Sequence, residues 1–148
     1  MSELSAFLRK KKADLQENEI RWDIVRQEWL ETLKKFYDTI KLWLSEEKRE
    51  GLLEIEDRVV TLNEEYLGSY QAPALEIKAL GQVISLKPVG RLIIGAQGRV
   101  DMESYKGKER FLFLSPEQGW AVLEERGKKT FTSLTKEVFE EILKGLLE

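Results

Sequence analysis

The chain has 148 residues, of which 42% are hydrophobic and 34% charged, and its formal net charge is −3 at pH 7. This composition is typical of one globular domain with a heavily charged surface. The absence of cysteine excludes disulfides, thiolate metal sites and cysteine nucleophiles, and the absence of histidine removes the commonest general base and transition-metal ligand. We therefore expect no metal and no cofactor, and a function other than catalysis.

The hydrophobic residues are spread in short runs, so we expect no membrane-spanning segment and no membrane partner. The first twenty residues also lack the apolar stretch of a secretory signal peptide. These two features predict a cytoplasmic protein.

The first fifty residues contain no proline or glycine and predict one long amphipathic helix, or two nearly collinear helices. Ser2 or Ser5 is the expected N-cap, and Ser45 begins a Ser-Glu-Glu sequence typical of a new N-cap, so we expect a break or bend there. The helical region ends between Leu44 and Glu50. Large apolar residues recur at every seventh position of this helix: Leu8, Leu15, Trp22, Trp29, Phe36 and Trp43.

The apolar face is wide only in the second half of the helix, from Val25 to Leu44. That breadth favours packing against another layer of the same protomer, with Trp29, Phe36 and Trp43 among the most buried residues. A coiled-coil dimer and a face for a foreign partner are the alternatives, although three tryptophans are bulky for a coiled-coil seam.

The first half of the helix supplies the candidate interaction surface, formed by Leu8, Leu15 and Trp22. A sheet and a short helix do not reach that far along a rod of roughly 60 Å. Because an apolar line of this length is rarely left in water, we expect a second copy or another protein to bury these three residues.

The segment from Leu52 to Leu62 has both strand-forming and helix-forming residues. We favour a β-hairpin with its turn at Asp57 and Arg58. Pro73 lacks an amide hydrogen and is therefore expected at a strand start, a sheet edge or a bulge.

From Ala74 onward the hydrophobic pattern alternates with a period of two, and turn residues recur every 8–14 positions. This pattern predicts an antiparallel β meander, curled or partly closed, with hairpin turns at Lys106–Gly107 and Arg126–Lys128. The predicted strands cover 75–78, 83–86, 92–102, 111–114, 120–123 and 130–132. Thr135 is the expected cap of a final helix, Lys136–Leu147.

The predicted fold is therefore α+β: a long N-terminal helix, an antiparallel meander and a short C-terminal helix. A helical region (residues 1–50) and a β-rich domain with its helix (residues 51–148) are expected to form one cooperative unit.

Gly95, Gly98 and Arg99 form a candidate anion site, because glycines allow close backbone approach and a guanidinium binds phosphate or carboxylate. Glycine-rich phosphate loops normally lead into a helix, whereas this segment lies in a predicted strand. The favoured interpretation is therefore structural: a bulge or sheet bend, with Arg99 paired to Asp101 on the same side of the strand.

The residues point to a non-catalytic protein-interaction module that works through its long helix and curved sheet and self-associates. The first alternative is binding of RNA or single-stranded nucleic acid, because residues 76–134 carry ten basic and seven acidic side chains. The second is an enzyme or binder of a small anionic ligand near Arg99.

Overall fold

The computed structural model describes residues 2–91, 96–124 and 130–148. In these residues three helices accompany a seven-stranded antiparallel sheet, which confirms the predicted α+β class. In chain order the elements are α1 (Glu3–Trp43), α2 (Ser45–Arg49), β1 (Glu54–Glu64), β2 (Gly68–Ala79), β3 (Gln82–Gly90), β4 (Arg99–Ser104), β5 (Gly107–Ser115), β6 (Gly119–Glu124), β7 (Thr130–Ser133) and α3 (Lys136–Leu147).

Helix α1 runs for 41 residues, about 60 Å, and begins where the Ser2 Oγ accepts a hydrogen bond of 3.1 Å from the Ser5 N–H. It ends at Trp43 because Leu44 leaves the helical conformation, with ψ at 9°. The predicted break near Ser45 is thus confirmed. Ser45 does not act as its cap, however: it is the first residue of α2, and the cap position belongs to Leu44.

The strands follow one another across the sheet in sequence order, so the sheet is an open meander that does not close into a barrel. The predicted hairpin within residues 52–62 is wrong. Asp57 and Arg58 lie inside the continuous strand β1, opposite Leu75 and Ala74 of β2. The segment is extended because β1 pairs with β2 along its whole length. The Arg58 side chain adds contacts with Glu56 of β1 and Glu76 of β2.

Pro73 lies within β2 opposite Val59 of β1. The pairing of β2 with β3 begins only at Leu75, so Pro73 faces no neighbour on that side and its missing donor breaks no ladder bond. Pro73 is, however, in the middle of a strand that lies between two others, and not at the predicted strand start, sheet edge or bulge.

The later elements agree with the pattern except in the predicted strand 92–102, where Gln97 and Gly98 are not in a strand and β4 begins only at Arg99. The hairpin turn at Lys106–Gly107 is present between β4 and β5, and Thr135 caps α3 by accepting a 3.2 Å hydrogen bond from the Val138 N–H. Two predicted features lie outside the described residues: the strand start at 92–94 and the turn at Arg126–Lys128.

The core lies between the sheet and the second half of α1, with α3 closing one end. Trp29, Leu33 and Ile40 are fully buried, and so is Phe139 of α3. Phe36 is also buried, as predicted. Trp43 is only half-buried. The reason is that a seven-residue spacing drifts by about 20° per heptad on a straight helix, and this drift carries the last member toward the edge of the buried face.

Candidate interaction surface

The N-terminal part of α1 extends away from the core, and we call its residues 3–15 the arm. Every apolar side chain of the arm is exposed, including Leu8 at 54% and Leu15 at 53% of their full area. Leu4 and Phe7 are exposed to a similar degree. Leu8 and Leu15 lie two and one heptads before Trp22, so they continue the face that packs on the sheet further along the helix.

Trp22 of α1 packs on an aromatic residue of the β-rich part of the chain. Its indole stacks on the Tyr66 ring at 5.3 Å between centroids and an angle of 21°. Tyr66 lies in the turn between β1 and β2 with φ at 72° and remains 56% exposed. Trp22 is thus half-buried within the protomer, whereas Leu8 and Leu15 are not covered.

The turn between β1 and β2 also holds the helix by a polar contact. The Arg26 Nη1 donates a hydrogen bond of 3.1 Å to the carbonyl of Leu67, and its Nη2 donates one of 2.8 Å to Asp23. The arm therefore leaves the body at a fixed point. Tyr66 is a contact that the sequence analysis missed, although a large aromatic residue inside the polar turn Glu-Glu-Tyr-Leu-Gly was a usable signal.

Gly98, the second member of the candidate anion site, has a packing role. A Cβ atom built on Gly98 would lie 2.5 Å from Cη2 and 2.9 Å from Cε3 of the Trp29 ring. The backbone here is held by the Phe113 N–H, which donates to the Gly98 carbonyl at 2.9 Å. Glycine is needed at this position because the backbone just before β4 lies directly against a buried indole. Gly95 lies outside the described residues.

Arg99 forms the predicted pair with Asp101. Its Nε and Nη2 donate to the two carboxylate oxygens at 2.7 and 3.0 Å, which is a bidentate arrangement. Lys108 of β5 reaches the same carboxylate at 3.0 Å, and Asp101 itself is buried. An anion at Arg99 would therefore compete with a carboxylate that already holds two cations.

Other basic side chains of the sheet are paired in the same way. Lys78 contacts Glu56 at 3.0 Å, and Arg58 contacts both Glu56 and Glu76. The hydrogen bond from Lys78 is the main cause that lowers the pKa of Glu56 below its ordinary value. The hydrogen bond to Asp101 likewise raises the pKa of Lys108. This pairing reduces the positive electrostatic potential that the sheet presents to a nucleic-acid backbone. Nucleic-acid binding stays a prediction.

In the described part of the chain, no three acidic side chains come close enough to hold a metal ion. None of the helices described contains a stretch that is long and apolar enough to cross a membrane. No protein family, no curated protein and no solved structure matches the chain.

Proposed function

We propose that the chain is a non-catalytic interaction protein that self-associates through its arm. The observation that carries the proposal is the exposure of Leu4, Phe7, Leu8 and Leu15 on one helix. Apolar lines of this length mark interaction sites on folded proteins.

The exposed line belongs to the same helix face that forms the core. On a helix with 100° between residues, Leu8 and Leu15 project within about 60° of Trp29 and Leu33, which are fully buried. Among the side chains that the structure describes, this face is exposed at Leu8 and Leu15 and packs on the β-rich part from Trp22 onward. A second copy supplies the missing cover over the arm.

The charges of this region favour an antiparallel pair. Four basic residues occupy positions 9–12, and three acidic residues follow at Asp14, Glu17 and Glu19. In two antiparallel copies with their twofold axis near Ala13, positions 9–12 of one copy lie beside positions 14–17 of the other, which include Asp14 and Glu17. A parallel pair would instead place like charges side by side.

The same register brings the Leu4 end of each arm level with Trp22 and Tyr66 of the other copy. The half-exposed stack of Trp22 on Tyr66 then lies under the partner's arm. One arrangement therefore covers both the apolar residues of the arm and this aromatic stack. Burial of one leucine side chain contributes about 1.5–3 kcal/mol, and a twofold interface counts each residue twice.

The test is sedimentation velocity of the full chain over a range of concentrations. The wild type is expected to show a concentration-dependent dimer, and Leu8→Asp with Leu15→Asp is expected to be monomeric. Both residues are exposed, so the thermal unfolding of the double variant should stay close to that of the wild type.

Ile24→Asp is the matched control. Ile24 is 55% exposed, nearly equal to Leu8 and Leu15, and it projects from the opposite side of the same helix. It should leave the dimer intact. A wild type that stays monomeric at high concentration would reject self-association and leave only a foreign partner for the arm, and an equal effect of all these substitutions would show that the arm has no special role.

A further inference from the structure

A groove separate from the arm lies between the second half of α1 and the end of the sheet formed by β5 and β6. Its volume is about 600 Å³. Small-molecule sites typically have volumes of about 300–1,000 Å³ and are rich in aromatic side chains with a few polar groups. The groove has the size of such a site.

Aromatic rings form the apolar part of the groove. Trp120 stacks on Phe36 at 4.0 Å with an angle of 16°, and Phe113 lies 5.4 Å from the same indole. Trp43 lines the groove further along α1. Trp43, Phe113 and Trp120 are each only half-buried, so part of their ring surface faces the groove.

Arg91 supplies the cation of the groove. It follows β3 directly, where its backbone N–H donates 2.8 Å to the Glu64 carboxylate, and its side chain is half-buried. Burial lowers the pKa of Arg91, and the charges of Glu28 and Glu64 act in the opposite direction. Glu64 also accepts a hydrogen bond from the Tyr70 hydroxyl, so this carboxylate already has hydrogen-bond donors within the protein.

The remaining charges on the groove wall lie in solvent. Glu28, Glu31 and Lys35 are exposed side chains of α1. Charges in contact with water act weakly, whereas a partly desolvated guanidinium interacts more strongly with a group of opposite sign. The groove thus favours an anion at Arg91 more than a cation at either glutamate.

We propose that this groove binds a planar aromatic molecule that carries a carboxylate. The ring system lies against Trp43, Phe113 and Trp120, where offset stacking adds to apolar burial. The carboxylate pairs with Arg91 in the geometry that a guanidinium offers to two oxygens. Glu28 is an exposed carboxylate whose charge acts on Arg91 and therefore competes with the ligand.

The test is a calorimetric titration of the full chain with naphthoate, and a parallel titration with uncharged naphthalenemethanol. Naphthoate should bind saturably. Arg91→Gln should lower the affinity for naphthoate about tenfold, because a charge-assisted hydrogen bond is lost. The same substitution should leave the affinity for naphthalenemethanol unchanged. Arg58→Gln is the matched control, since Arg58 is an exposed arginine that does not line the groove.

The substitution Glu28→Gln should change the affinity for naphthoate in the opposite direction. Because it removes the competing carboxylate, the affinity should rise by about twofold or more. Glu28 is exposed, so this variant should fold even if Arg91→Gln does not. The four tryptophan indole N–H signals add a local readout, because those of Trp43 and Trp120 should shift with naphthoate while that of Trp22 should not.

Three results would overturn the proposal. The first is the absence of saturable naphthoate binding to the wild type. The second is an equal affinity in Arg91→Gln and Arg58→Gln. The third is a shift of the Trp22 signal without any shift of the Trp43 and Trp120 signals.

Discussion

Replacement of Gly98 by alanine tests the contact between the sheet and α1. The added Cβ would stand 2.5 Å from Cη2 of the Trp29 ring, whereas two carbons in favourable contact are about 3.5–4.0 Å apart. The ring or the strand must therefore move by about 1 Å or more. Trp29 is 1% exposed and packed in the core, so a shift of the ring disturbs its neighbours.

The expected loss from Gly98→Ala is about 1–3 kcal/mol in the free energy of unfolding. Urea denaturation followed by tryptophan fluorescence measures it. Gly145→Ala is the control, because a Cβ there meets nothing within 4 Å and alanine improves the helix by up to about 1 kcal/mol.

A double-mutant cycle isolates the clash itself. In a Trp29→Leu background the ring is gone, so the additional cost of Gly98→Ala should fall below about 0.5 kcal/mol. An equal cost in both backgrounds, or a cost near zero in the wild type, would refute the packing of Gly98 against the indole.

Three further predictions concern the core, the charge network and the pH dependence. Phe139→Ala should cost about 3–5 kcal/mol in urea denaturation, because the ring is fully buried. Asp101→Ala should cost about 1–3 kcal/mol and Arg99→Ala about 1, since Asp101 holds two cations and keeps Lys108 when Arg99 is removed. Stability should be flat between about pH 6 and 9, because the chain lacks histidine and cysteine. Stability should decrease as the pH drops below 4.5, the ordinary pKa of Glu56, because this carboxylate has a lowered pKa in the folded protein. Stability should also decrease as the pH rises above 10.5, the ordinary pKa of Lys108, because this amine has a raised pKa in the folded protein. Thermal melts across pH measure both limits.

Local patterns predicted most of the fold because they depend on neighbouring residues. The uninterrupted apolar spacing predicted α1, and the alternation between glycine-containing turns predicted the strands from Ala74 onward. Strand β1 was misread because its extended form depends on a partner about twenty residues away: Arg58 looks like a turn residue until Glu76 of β2 lies beside it. The burial of Trp43 was overestimated because residues seven apart do not point in the same direction on a straight helix.

The candidate site shows the same division between local and distant information. The helix face of Leu8 and Leu15 followed from their spacing, but their exposure depends on where the sheet ends, and no local pattern records this. The role of Gly98 depends on Trp29, which is distant in sequence. The pair of Arg99 and Asp101 was predictable, because two residues apart on a strand lie on one side.

Self-association through the arm is tested most directly by distances between spin labels in two copies. The chain has no native cysteine, so Ala13→Cys and Ser2→Cys each give a single labelled position. Ala13 is exposed and points away from the apolar line, and it lies at the level of the proposed twofold axis. The antiparallel pair places the two Ala13 labels at the same level along the helix axis and offsets the two Ser2 labels by about 33 Å along it, so the Ser2 distance should be clearly the longer of the two. Short distances at both positions would contradict the antiparallel pair, and no interaction at either position would contradict self-association through the arm.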